Sequence, residues 1–185
     1  MLDAGYDMPP LMLTPDEVEA AVLGAQLVAR QGDLALARAA QDLVAKIQHV
    51  VPERLRPLVL EPSSRVAPIR NLIPDRLDMG AVRLCIRSGR KIRMCYRDEQ
   101  ERASERTVWP FAVGYHESVR LMIAWCELRQ DFRSFRTDRV DEAEFLEERY
   151  PERPAMLRAR WRRQMEEMAA KMGMREARRG PAPAG

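Results

Sequence analysis

The sequence is poor in the residues and runs that most often announce an activity. It has two histidines, His49 and His116, and three cysteines, Cys85, Cys95 and Cys126. An odd cysteine count without CxxC-type spacing argues against a disulfide framework or a zinc site, so free thiols in a reducing cytoplasm are expected, with no metal and no cofactor. There is no run of 18 apolar residues, so no membrane span is expected. The start, "MLDAGYDMPPLMLTPDE", lacks the basic-then-apolar order of a signal peptide. No G-x-G-x-x-G, P-loop or G-x-S-x-G is present, which removes the commonest nucleotide-binding and acyl-transfer signatures. His116 and Ser118 invite a nucleophile hypothesis, yet no acid at a recognisable spacing orients that histidine. A non-enzymatic protein is expected.

What is present is enough apolar side chain for a core, 46% of residues, and 32% charged residues to solubilise it. The length of 185 residues fits one compact domain, or a small domain with helical additions. The formal charge is only +3, but it is unevenly spread. Residues 1–82 carry 8 basic and 11 acidic side chains, residues 83–139 carry 13 and 8, and residues 140–185 carry 10 and 9. The middle is the basic part, and arginine dominates it. Arginine favours bidentate contact with phosphate or carboxylate.

Thr14-Pro15-Asp16-Glu17 predicts a helix start, with Thr14 as cap, Pro15 at the first helical position and Glu17 closing the capping box. Val18, Ala21, Val22, Ala25 and Val28 continue an apolar stripe to Gly32. A second helix follows from Asp33, with Leu36, Ala40, Leu43, Val44 and Ile47 on one side and Pro52 at its end, which makes a helical hairpin. The five prolines of residues 52–74 predict an irregular connector. A third helix fits from about Asp75 to Ser88, stopped by Gly89.

The period then becomes two. Ile92, Met94 and Tyr96 alternate with basic residues in a half-buried strand with a basic outer face. "RTVWPFAVGY", "VRLMIAWCEL" and "FRSFRTDRV" read as three more strands, Pro110 marking an edge or a bulge. Four short strands in meander order predict a small curled sheet or barrel. After Val140 the pattern reads as helix again: a short "DEAEFLEERY", then a final helix from Pro154 with Leu157, Trp161, Met165, Met168 and Met172 on one stripe, and a disordered tail "RRGPAPAG". Exposed helix stripes at both ends predict a homodimer.

In the fourth strand, alternation puts Arg133, Phe135, Thr137 and Arg139 on one face, and Phe132, Ser134, Arg136, Asp138 and Val140 on the other. Neither face is purely apolar, so at least one arginine lies near the core or lines a cleft and needs a partner. Asp138 and Glu127 are internal candidates. The same sheet carries Lys91, Arg93, Arg97 and Arg120, which leaves a surplus of positive charge to attract an anion. Phe132, Phe135, Tyr96 and Trp109 among the arginines would suit stacked bases, or simply a core.

"IRSGRKIRMCYRD", "SERTVWPFAVGY" and "VRLMIAWCELRQDFRSFRTDRV" together resemble the WYL domain of bacterial transcriptional regulators, over roughly residues 76–141. "AGYDMPPLMLTPDEVEAAVLGAQLVA" is similar to the segment such regulators place before that domain. Two departures stand out. Arg120-Leu121-Met122 occupies the place of the naming Trp-Tyr-Leu triplet, and Cys95 takes a position that is often basic.

The resemblance implies an α+β chain. Residues 1–74 form a helical hairpin and Pro-rich connector, 75–141 a small SH3-like (Sm-like) β-barrel WYL domain, and 142–185 C-terminal helices and tail. It implies a sensory module for an anionic ligand or a single-stranded nucleic acid. Arg133, Arg136 and Arg139, with Arg120, Tyr96, His116 and Ser118, form or flank the site. Thirteen residues before Thr14 leave no room for the family's helix-turn-helix, so duplex DNA would be read only through a domain not in this sequence. The other readings are a stand-alone single-stranded nucleic-acid binder, a dimerisation partner of a full-length regulator, and a hydrolase using His116 and Ser118.

Overall fold

The computed structural model describes residues 12–179 except 65, 67–72 and 117, with side chains to residue 171. The terminal tail therefore lies largely outside the described residues. The chain divides into two compact units, Met1–Arg70 and Asn71–Gly185.

The first unit is the expected helical hairpin. Helix α1 (Pro15–Gln31) opens on a complete capping box: the Glu17 backbone N–H donates to Thr14 Oγ1 (3.3 Å), and the Thr14 N–H donates to Glu17 Oε2 (2.7 Å). Helix α2 (Leu34–Val50) is capped by Asp33, whose carboxylate accepts from the N–H groups of Ala35 and Leu36. Each cap satisfies donors that the first helical turn leaves unpaired. The connector is more ordered than its prolines predict, with a 3-10 turn at Glu53–Leu55 running into a short helix α3 (Arg56–Leu60). Pro57 sits in its first turn, where a missing N–H costs nothing. Leu55 and Val59 thereby join Val18, Val22, Ile47 and Val51 in the unit's core.

The second unit is a five-stranded antiparallel sheet with a helix on each face. Its elements are α4 (Met79–Ser88), β1 (Arg90–Arg97), β2 (Ala103–His116), β3 (Val119–Cys126), β4 (Asp131–Arg136), β5 (Val140–Arg149) and α5 (Pro154–Arg179). Helix α4 ends as expected, at Gly89 with φ +69°, the left-handed conformation glycine adopts without penalty. Strand order is β4-β3-β2-β1-β5, and among the described residues no ladder joins β4 to β5. Pro110 lies in a central strand at a register shift between Pro110 and Ala112, so it marks a bulge and not an edge.

Two expectations are corrected here. "DEAEFLEER" is not helical; it is β5, paired antiparallel with β1. Its apolar residues are too few to advertise a strand, and the pairing energy comes from β1. The fourth strand does not run on to Val140 either, because Thr137–Arg139 form a 3-10 turn that carries the chain from β4 to β5. Arg139 therefore leaves the alternation predicted for it.

Alternation holds within β4 itself. Phe135 packs with Val82, Cys85, Ile92, Met94 and Met122 in the core beneath α4. Phe132 packs with Phe111, Ile123, Tyr150 and Leu157 in a second core, on the face covered by α5. Each face of the strand sends one phenylalanine into a core and leaves a polar residue, Arg133 or Ser134, exposed, which is why neither face reads as purely apolar or purely solvent-facing in the sequence. Of the terminal stripe, Leu157 is buried and Trp161 packs on the sheet, whereas Met165 and Met168 are exposed; the Met172 side chain lies outside the described residues. Among the described residues no helix is long and apolar enough to cross a membrane.

Candidate arginine cleft and its surroundings

The expected basic outer face of β1 is neutralised by β5. Lys91 Nζ lies 2.8 Å from Glu127 and 2.6 Å from Glu148. Arg93 reaches Glu144 at 3.1 Å and Glu105 at 3.8 Å, and Arg97 reaches Asp141 at 2.6 Å. Lys91 is held protonated beyond the ordinary lysine range, by its hydrogen bonds to Glu127 and Glu148 acting against burial. A shallow groove on this edge is lined by Arg93 and Cys95 together with Glu105, Glu142 and Glu144, a composition that repels anions.

The predicted site residues fall into five places. Arg120 is buried and paired with Asp75, a residue of the segment leading into α4. Asp75 also accepts from the Thr137 hydroxyl (2.5 Å), so this ion pair ties the segment before α4 to the turn after β4. Arg136 forks onto Asp138 through Nε (3.0 Å) and Nη2 (2.9 Å), while its backbone N–H donates to the Tyr96 hydroxyl (3.3 Å). The Asp138 hydrogen bond also raises the Arg136 pKa. Arg139 reaches Glu99 at 3.7 Å, a largely exposed carboxylate.

His116 and Ser118 sit at the opposite end of β2 from Arg106, ten residues along the strand, or roughly 30 Å of extended chain. His116 is exposed, and no hydrogen bond joins it to Ser118 among the described residues. The Ser118 carbonyl instead accepts from the Ile73 N–H (2.9 Å).

Two of the predicted residues, Tyr96 and Arg133, do meet. They line a cleft of about 180 Å³ that also takes in Arg106, Arg129, Cys126 and Phe135. Its floor is the margin of the core beneath α4: Cys126 and Phe135 are buried, and the Tyr96 and Phe135 rings meet edge to face, 5.1 Å apart at 85°. Arginines stand at the rim. Arg133 Nη1 is 2.6 Å from Asp131, whose carboxyl is held below the usual aspartate range by hydrogen bonds from Gln164 and the Phe132 N–H and by the Arg133 charge, against the effect of burial. Arg106 Nε donates to Ser104 Oγ (3.0 Å). Among the described residues neither Arg106 nor Arg129 has a carboxylate partner.

One acid, Asp98, joins the wall. It is pinned in the β1–β2 turn by Arg102 (2.8 Å to Nε) and by the N–H groups of Gln100 and Arg102. Those bonds, the Arg102 side chain first, hold it ionised below the ordinary aspartate range. Arg129 reaches the rim from the β3–β4 turn, next to Gln130, whose φ of +49° lets the chain reverse there. Residue spacing alone could not place Arg106 or Arg129 at the cleft. Arg129 belongs to the same arginine-rich stretch as Arg133, but Arg106 reaches it only through the β1–β2 and β2–β3 ladders.

A solved structure to which the chain is similar is proteasome accessory factor B/C (PafBC) of Arthrobacter aurescens, at 21% identity and a TM-score of 0.38. The similarity covers 77% of this chain and 22% of that one, so the chain spans about a fifth of that protein's length. Residues 79–145, from the start of α4 into β5, match the family model described as the WYL domain. The arginine cleft and the sheet that builds it thus lie almost wholly within the residues that match that model.

Proposed function

We propose that this chain is the ligand-sensing module of a bacterial transcriptional regulator, non-enzymatic in itself, and that it binds an anion at the cleft of Tyr96, Arg106, Arg129 and Arg133. The observation that carries the reading is the pair of guanidinium groups, Arg106 and Arg129, that stand beside an apolar floor without a carboxylate to neutralise them. Elsewhere on the sheet unit, Arg90, Arg93, Arg97, Arg120, Arg136 and Arg139 each have an acidic neighbour. A charge-assisted hydrogen bond to an anion is worth about 1.5–3 kcal/mol when shielded from water.

The strand order, with β5 returning beside β1 after a 3-10 turn, supports a small SH3-like type for the sheet. Reading of duplex DNA would belong to a separate helix-turn-helix domain. Binding of anions to the Arg133→Ala variant, measured by calorimetry with nucleotides, organic acids and a short deoxythymidine oligomer, tests the reading. Affinity is expected to fall about tenfold or more for whichever anion binds. Unchanged affinity for all of them would place the anion site elsewhere.

A second reading, direct binding of single-stranded nucleic acid, draws support from the aromatic rings at the cleft floor.

A further inference from the structure

We infer that the cleft takes a small organic acid, one ring-sized apolar body bearing a single carboxylate or phosphate, and not a nucleic-acid strand. This rests on the anion-sensing reading above and specifies its ligand.

Three observations set the size and charge of the occupant. The cleft volume of about 180 Å³ is smaller than the roughly 300–1,000 Å³ of sites for drug-sized ligands, and fits a ring with its acidic group. The floor of Cys126, Phe135 and Tyr96 offers apolar contact, which a bare inorganic anion cannot use. The charge available is limited as well. Arg106 and Arg129 are the rim guanidiniums without a carboxylate among the described residues, and Arg133 is shared with Asp131.

A nucleic-acid strand needs a succession of available cations along its backbone. The cations flanking the cleft do not supply one. Arg102 is held by Asp98, Arg136 by Asp138, Arg139 by Glu99 and Arg97 by Asp141. Asp98 adds a fixed negative charge to the wall itself, which opposes any second phosphate placed there. Two available guanidiniums match one acidic group; a fixed carboxylate beside them selects against more.

The test is calorimetry on the full chain at several salt concentrations with benzoate, naphthoate, adenosine monophosphate, inorganic phosphate and a ten-residue deoxythymidine oligomer. A ring-bearing acid is expected to bind more tightly than inorganic phosphate, with a log–log salt slope of about −1 or shallower. R106Q and R129Q are each expected to weaken it about tenfold; both residues lie at the cleft rim outside the core, and an unchanged thermal transition checks that the variants fold. Tighter binding of the oligomer, with a slope of −3 or steeper that R129Q flattens, would overturn the inference while leaving the cleft as the anion site. Binding by none of the probes, or binding indifferent to both variants, would overturn the inference and the reading beneath it together.

Discussion

The two arginine-rich parts of the sheet use the same side chain to opposite ends. Along β1 every basic side chain meets a carboxylate: Arg90 meets Glu147, Lys91 meets Glu127 and Glu148, Arg93 meets Glu144, Arg97 meets Asp141. At the β3–β4 end the rim of the cleft keeps Arg106 and Arg129 without such partners, over a floor of Tyr96 and Phe135. Arginine density is similar in the two regions. What differs is the neighbourhood. β5 is acidic and lies against β1, whereas the cleft is lined from β1, β2, β3, β4 and two turns, with Asp98 as the one acid in its wall. Pairing, and not the number of cations, decides which region keeps positive charge that is not neutralised.

The strongest way to break this contrast is to remove a partner from a pair that is buried. Asp75→Ala takes the Asp75 carboxylate away from buried Arg120 and removes the nearer acceptor of the Thr137 hydroxyl. A loss of about 3–5 kcal/mol is expected in urea unfolding of the full chain. A loss under about 1 kcal/mol would show that the pair is not holding the segment before α4 to the sheet.

Alkali is the next lever, because the paired edge contains groups that must keep their protons. Burial pushes the Tyr150 hydroxyl from 10.0 up to about 12, where it donates to the Pro110 carbonyl (2.9 Å) and its ring stacks on Trp109. Lys91 is raised in the same direction by Glu127 and Glu148. A folded-state pKa above the unfolded one contributes stability that is complete below the unfolded value and lost as pH rises through the folded one. The sheet unit should therefore lose on the order of 2–3 kcal/mol between about pH 10 and 12 through Tyr150. Chemical denaturation across that range checks it. Tyr150→Phe should remove most of the alkaline slope and leave the smaller part due to Lys91.

The smallest effect is expected at the exposed pairs. Glu144→Gln removes the nearer partner of Arg93, both side chains being half exposed or more, and should change stability by less than about 1 kcal/mol. A larger loss would mean that the β1–β5 edge depends on its ion pairs more than solvent screening allows.

Local signals in the sequence translated directly into local structure. The Thr14–Glu17 capping box, the Asp33 cap and the stop at Gly89 each depend on a few neighbouring residues, and each is found where the residues put it; Pro110, legible as an edge or a bulge, is a bulge. The acidic strand β5 was not legible. "DEAEFLEER" shows neither clean alternation nor β-branched residues, and only β1, some fifty residues earlier, makes it a strand. The consequence reaches function: only as a strand does β5 set its acids against the bases of β1, so the positive surplus is smaller than the linear sequence implies. The turn at Thr137–Arg139 was equally hidden, because no glycine or proline marks it.

The sequence by itself determined the helical hairpin, the antiparallel meander, the parity that sends Phe132 and Phe135 to opposite faces, and the concentration of arginine in residues 83–139. Those follow from caps, breakers and periodicity, which act over a few residues. Only the tertiary structure decided which arginines are neutralised and which remain available. The reason is physical: an ion pair depends on distance across the sheet, and strand pairing brings together charges that lie far apart along the chain.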